Sequence, residues 1–488
     1  MLISRFSSSD VPQWKFGGTY SRWDTKQRTL YQKNNKERRM SSSSFDTSRG
    51  NELLPLRGTN QPTIDEMFVS RIRDSRSISA DQALIHMIKV MMGTGMLSLP
   101  LAFKHSGLWL GLILLFFICL ICIYCTRQLV FGQHYITFIK REQRMDYANV
   151  MRSAVELGPS WIRGHGYLFK QLVNLNMFVA QFGFCCVYFV FMADNLKQFF
   201  DQTSNIHISQ AGWIALLLIP ISALCTIREL KALAPLAAVA NFVYIIAVVI
   251  VLQDLFSEWH PWDQLPAFGS IESLPLFFGT VMFAFEGVAV VLPIENQMNE
   301  PIHFISPNGV LNTSCFLVLL VYMTVGFFGF LRYGYDIKDT LTLNLPQTPF
   351  YQAIKVMFVL CILVSYPLQF YVPMERIEKW IKRKIPEAKQ EPMIYGIRFG
   401  GVLLTCAMAQ LIPHLALFIS LVGSVAGTSL TLVFPPLIEL LCCYSRQELT
   451  NFVWIRNISL MIFALVGFST GTYASMIQIF EAFGKEDV

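Results

Sequence analysis

Charge is what this chain lacks most for its length. Asp, Glu, Lys and Arg make up 15% of its 488 residues, where a soluble domain carries about a quarter. Soluble catalytic arrangements are missing too: there is no nucleophile elbow, no Walker loop and no GxGxxG run ahead of a helix. No enzyme and no nucleic-acid partner is expected, because the net charge of +6 matters here through its placement and not its sum. The first 30 residues hold no apolar core, so no secretory signal is expected. The 11 cysteines fall inside or at the ends of apolar stretches and form no CxxC pattern with histidines nearby. They read as small packing residues, with no metal site and no cofactor expected. Cys442-Cys443, beside a span end, also admits reversible palmitoylation.

What is abundant is apolar: 53% of residues are hydrophobic, 40 of them Phe, and mean hydropathy is +0.45. Windows of roughly 20 apolar residues, the length that crosses a bilayer, recur at 83–103, 108–131, 170–196, 211–227, 235–255, 274–294, 309–331, 351–373, 394–413, 415–441 and 455–480. The expectation is an all-α polytopic membrane protein with eleven transmembrane helices over 82–482. A short extracellular or lumenal C-terminus would follow at 483–488. Residues 1–81 are polar and rich in Ser, Arg and Lys. They bury too little apolar area to offset ordering entropy and read as a disordered tail, open to cytoplasmic regulators. Ser41 to Ser44 beside Arg38-Arg39 are a phosphorylation candidate or a plain solvated linker.

Basic residues orient the spans. With the tail inside, the same-side loop 132–169 holds Lys140, Arg141, Arg144, Arg152 and Arg163, and the loop 374–393 holds Arg376, Lys379, Lys382, Arg383, Lys384 and Lys389. On the other side, 256–273 has no Lys or Arg. That asymmetry puts the N-terminus in the cytoplasm. The sequons at Asn312 and Asn457 then lie near the cytoplasmic face, where glycosylation is not expected.

Two of the membrane-length stretches are interrupted. Leu84 to Phe103 contains Gly93-Thr94-Gly95, and Pro275 to Pro293 contains Phe283-Ala284-Phe285-Glu286-Gly287. Backbone groups released inside hydrocarbon need other partners, so such breaks persist only where protein or a polar cavity receives them. The breaks sit in spans one and six, the spacing of a five-plus-five inverted repeat with one extra helix, and matched broken helices mark transporter substrate sites. Unwound N–H groups suit a carboxylate and unwound carbonyls an ammonium, which together fit an amino acid. Taken alone, Gly93 and Gly95 are equally compatible with close helix packing.

Ionisable groups at membrane depth are costly and point to function. His86 lies two turns before Gly93, Lys89 one turn above it, and Glu286 inside the second break. His86 and Glu286 are candidates for proton coupling, His86 because imidazole titrates near neutrality. Their bland readings are a packing histidine near the interface and, for Lys89, a snorkelling side chain. A Glu286–Lys89 pair bracing the two breaks is a further candidate. Tyr188 and Tyr366 either line a cavity or gate, or satisfy neighbours at span ends.

Leu84-Ile85-His86-Met87-Ile88-Lys89 followed by GTGMLSLPLAFKHSG resembles the first span of the proton-coupled amino-acid transporters, solute carrier family 36, within the amino acid/auxin permease group. The segments FGFCCVYFVFMADNLKQ (182–198), PLFFGTVMFAFEGVAVVLPIENQM (275–298), LTLNLP (341–346), LQFYVPMERI (368–377) and ISLVGSVAGTSLTLVFPPLIE (419–439) are similar to further landmarks, so the likeness runs from about 80 to 475. It implies eleven helices in a leucine-transporter-like fold and symport of protons with small neutral amino acids such as glycine, alanine and proline. It also implies a proton-linked role for His86. Gly93, Thr94 and Gly95 would form the unwound substrate loop, with Phe283, Ala284 and Phe285 as its partner. The chain departs from the family at Val90 and Met91, where a glycine and an asparagine, in that order, are usual. It also lacks the cysteines of the external disulfide. The likeness leaves plasma membrane and lysosomal or endosomal membrane both open. A second class of reading is an amino-acid-sensing receptor that transports little and signals through its tail.

Overall fold

The computed structural model describes residues 67–68, 77–142, 144–204, 207–227, 230–257, 259–412 and 414–486. These belong to the compact unit Gln61–Val488. Among them every regular element is a helix, and extended pairing is limited to one bridge, Ile78 to Met298. Among the described residues nine helical segments are long and apolar enough to cross a bilayer. The other two expected windows also hold helix. One is short, Gln210–Cys225, and the other is divided near Gly93.

The first expected span is α1 (Ala80–Met91), α2 (Thr94–Leu97) and α3 (Leu99–Ser106). Ser79 and Gln82 form a reciprocal capping box that fixes the start of α1, because each side chain takes an N–H the helix leaves unpaired. The helix therefore starts inside the range read as tail. Most of that range lies outside the described residues. Of it, Met67 and Phe68 are buried.

Next comes α4 (Leu108–Lys140), which continues well past the apolar window at 131. Its extra turns bury Gln133, His134, Tyr135, Ile136 and Thr137, so packing and not membrane length sets where it ends. The His134 ring stacks on Phe68 at 3.9 Å, and its Nε2 lies 2.8 Å from Glu295 Oε1. Arg141 closes α4 in the left-handed region at φ 55. The amphipathic α5 (Tyr147–Leu157) follows, capped by Asp146, whose carboxylate accepts from the Asn149 N–H at 2.9 Å. Glu156 ties α5 back to α4, accepting from Lys140 Nζ at 2.8 Å and from Arg152 Nε at 2.7 Å. Burial pushes the Glu156 carboxyl up, but those two cations outweigh it and hold it below its ordinary value.

The remaining long helices are α6 (Gly166–Thr203), α7 (Gln210–Cys225), α8 (Leu230–Leu255), α9 (Leu274–Ala284), α10 (Val288–Glu295), α11 (Val310–Tyr333), α12 (Pro349–Lys384), α13 (Glu387–Leu411), α14 (Leu415–Val422), α15 (Phe434–Arg446) and α16 (Asn451–Glu486). The range 483–488, read as a short terminus, is thus helical as far as Glu486. Helix α9 packs on α3, α14 and α16. Helix α11 packs on α1 and α3, while α6 lies along α12. The two divided stretches therefore meet in the middle of the bundle. All 11 cysteines are free and buried.

Candidate functional site

Two breaks form the candidate site, and they touch. At the first, α1 ends at Met91, and Gly93 turns extended at φ −111 and ψ −158 before α2. At the second, Phe285, Glu286 and Gly287 separate α9 from α10. A Cβ on Gly95 would stand 2.8 Å from the Ala284 Cα and 3.0 Å from Phe283 Cδ1, so only glycine lets the two backbones approach this closely. Beside Gly93 a Cβ would meet nothing within 4 Å. The wall of the site is tight at Gly95 and open at Gly93. Thr94, Gly95, Phe283, Ala284 and Phe285 are all buried, so the six residues expected to hold a substrate are brought together.

The carbonyls freed by the breaks find partners on neighbouring helices. The Tyr322 hydroxyl on α11 reaches both Met91 O and Ala284 O, the latter at 2.7 Å. Tyr244 on α8 donates to Gly93 O at 3.3 Å. Buried N–H and C=O groups in a membrane must be satisfied internally, and these two phenols do much of that. Met91 O also accepts the Gly93 N–H at 2.9 Å, so the single hydroxyl hydrogen matters most at Ala284 O. Tyr322→Phe is expected to lower the protein's stability by about 1–3 kcal/mol, the cost of orphaning a buried acceptor. Thermal unfolding of the purified protein measures it, and an unchanged transition would show that Tyr322 does not brace the breaks.

Glu286 sits in the second break, 8% exposed, and neither carboxyl oxygen has a hydrogen-bond partner among the described residues. A Cβ on Gly427 would come 3.0 Å from its Oε2. Gly427 belongs to a stretch of π-helix, Gly423–Gly427, continued at Ser429–Val433. Single π turns inside α-helices often lie at functional sites. Gly423 faces α9 closely enough that a Cβ would stand 2.6 Å from the Phe283 N.

His86 and Lys89 are placed differently from the carboxylate. The buried face of α1 is Ala83, Met87 and Met91, while His86 and Lys89 lie on its exposed side. The candidate Glu286–Lys89 pair is therefore not formed. Their spacing suggested depth but not direction around the helix. Tyr366 is fully buried, and its hydroxyl lies 2.7 Å from Thr405 Oγ1 on α13; its ring stacks on Phe370. Tyr188 is buried within reach of Gln369. Tyr366 thus bonds to α13 and not to either break.

Tyr322, Tyr244 and the π stretch escaped the sequence reading. A signal existed for the tyrosines, since a phenol inside an apolar span needs a partner for its O–H. For the π stretch it was the small-residue run Gly423-Ser424-Val425-Ala426-Gly427.

Residues 76–480 match the family model described as transmembrane amino acid transporter protein. The chain is 31% identical over 422 residues to the proton-coupled amino acid transporter-like protein pathetic of Drosophila melanogaster, covering 85% of this chain and 88% of that one. It is 27% identical over 433 residues to the probable amino acid transporter skat-1 of Caenorhabditis elegans, covering 85% and 93%.

Proposed function

The chain belongs to the transmembrane amino acid transporter family, and from that premise we propose that it carries small neutral amino acids together with protons by alternating access around the two touching breaks. It is a multi-pass membrane transporter and not an enzyme. In this reading the eleven helical windows are eleven transmembrane helices, the first ten being two inverted sets of five in a leucine-transporter-like arrangement. Breaks in the first helix of each set support it.

The substrate carboxylate is held by the backbone N–H groups of Thr94 and Gly95, beside the open space at Gly93, whose own N–H donates to Met91 O at 2.9 Å. The ammonium goes to the carbonyls around Phe283, Ala284 and Phe285. Its three donors reach the second lone pairs of carbonyls that already accept from the Glu286 and Gly287 N–H groups and from Tyr322. The Phe283 and Phe285 side chains limit the pocket to small side chains, of the glycine, alanine and proline type. Lys89 and Tyr188 are left to gating, and Tyr366 to holding α12 on α13.

The observation that carries proton coupling is the buried, unpartnered carboxyl of Glu286. Burying an ionised carboxylate without a partner costs far more than burying the acid. Opening and closing the cavity around Glu286 therefore exchanges a proton with whichever side is open. His86, on the exposed side of α1, is suited to pass that proton in from solvent. The coupling ion is the proton and no other cofactor is invoked. The N-terminus is cytoplasmic, and the outer side is extracellular or lumenal, in a plasma or a lysosomal membrane. The receptor reading is not favoured, since both relatives are named as transporters.

Uptake of labelled glycine, alanine and proline into proteoliposomes, with and without an inward proton gradient, tests this. Accumulation above equilibrium only with the gradient is expected. Uptake that follows sodium and ignores pH overturns the proton mechanism, and binding without accumulation restores the receptor. An unchanged pH dependence in His86→Ala clears that residue of the relay.

A further inference from the structure

Away from the breaks, a cavity of about 560 Å³ opens between the first turns of α6 and the last turns of α12. That volume falls within the range of small-molecule sites. Leu168, Leu172, Leu175 and Phe178 give one apolar wall, and Arg376 and Trp380 stand opposite on α12. The leucines and Trp380 are exposed, so the groove faces whatever surrounds the bundle.

Arg376 is the unusual feature. Its Nη1 donates to the Asn174 side chain and its Nη2 contacts Met177 Sδ at 3.5 Å, both neutral. Among the described residues it has no carboxylate partner. The acids near it are engaged elsewhere: Glu375 pairs with Lys379 at 2.9 Å and Glu378 with Arg398 at 2.7 Å. A guanidinium has five N–H donors in a fork that matches phosphate, and most of these are free here. Toward the helix end, Lys382, Arg383 and Lys384 are exposed. Lys170 lies one turn before Asn174 on the same face of α6. Trp161, Tyr167 and Trp380 are exposed at the same end, as expected of an aromatic belt at headgroup level.

We propose that this groove binds one anionic phospholipid. The phosphate sits on Arg376, with the basic turns beyond it taking further headgroup charge. An acyl chain lies along Leu168, Leu172 and Leu175. An apolar slot ending in a guanidinium with no carboxylate partner among the described residues, at the basic end of the bundle, is what such a lipid complements. Phosphatidylcholine brings the same phosphate but ties a choline cation to it, which offsets the pairing with Arg376 and faces the exposed Lys382, Arg383 and Lys384. The site uses no residue of the two breaks and stands whether or not the chain moves protons.

Trp380 lies in the groove and reports occupancy. The full chain is reconstituted in phosphatidylcholine containing about a tenth brominated phosphatidylserine or, in a parallel sample, about a tenth brominated phosphatidylcholine. The Trp380 signal is taken as the difference from Trp380→Phe. Strong quenching by the anionic lipid and little by the neutral one is expected, with inorganic phosphate unable to compete. In Arg376→Gln the preference should weaken about tenfold, while Arg376→Lys keeps most of it. Equal quenching by both lipids, or an undiminished preference in Arg376→Gln, overturns the proposal, as does full competition by inorganic phosphate. If Arg376→Gln fails to fold, native mass spectrometry of the unaltered protein released from the mixed bilayer decides. One retained phosphatidylserine per chain supports the site, and none retained overturns it.

Discussion

Glu286→Gln should abolish proton-driven accumulation while leaving exchange of preloaded substrate in place. Gln keeps the volume of Glu and cannot ionise. Among the described residues neither carboxyl oxygen has a donor or a cation to lose, so the protein should fold with the amide in place. A pH difference of one unit that drives one proton per substrate supports up to about tenfold accumulation, since a tenfold ratio corresponds to about 1.4 kcal/mol. In the variant that ratio should fall to about one, and exchange of internal for external labelled alanine should persist because it needs no net proton movement. Pairing the two assays separates loss of coupling from loss of the protein. A variant that still concentrates substrate tenfold on a one-unit gradient would remove Glu286 from the mechanism.

The second large effect is steric. Gly95→Ala places a methyl 2.8 Å from the Ala284 Cα and 3.2 Å from the Ala284 Cβ. The first of these is backbone and cannot swing aside, so the two breaks must separate. Overpacking of this kind costs about 1–3 kcal/mol, and a displacement near 1 Å at a working site can cost about a hundredfold in rate. Uptake should fall by about that factor, together with a lowered unfolding temperature. Gly93→Ala is the control, because its methyl enters space with nothing within 4 Å. It should unfold like the parent protein yet raise KM, since the space it occupies is assigned to substrate. Equal behaviour of the two variants would mean that the contact at Gly95 is incidental.

Much of this was readable from residue order. Each apolar window carries helix, because runs of about 20 apolar residues have few other ways to satisfy their backbones in lipid. The breaks were visible because glycine interrupted two such runs at matching positions, Gly93 and Gly95 in one and Gly287 in the other. What was not readable depends on direction and on partners remote in sequence. His86 and Lys89 share the exposed side of α1 while Ala83, Met87 and Met91 face inward, a direction that the four-residue spacing of those three marks only once the helix is known to start at Ala80. Tyr322 meets Met91 across 231 positions of chain. The last turns of α4 contain Gln133 and His134, polar residues that read as loop until Asn296 and Glu295 are seen to hold them.

The burial of every cysteine has a practical side. With all 11 thiols enclosed, the native protein offers water-borne maleimides little to react with in this conformation. A single cysteine introduced in the exposed loop 256–273, for instance Ile271→Cys, would then be the favoured attachment point for a spin label or fluorophore. Opening and closing could be followed spectroscopically without first stripping the natural thiols from the chain.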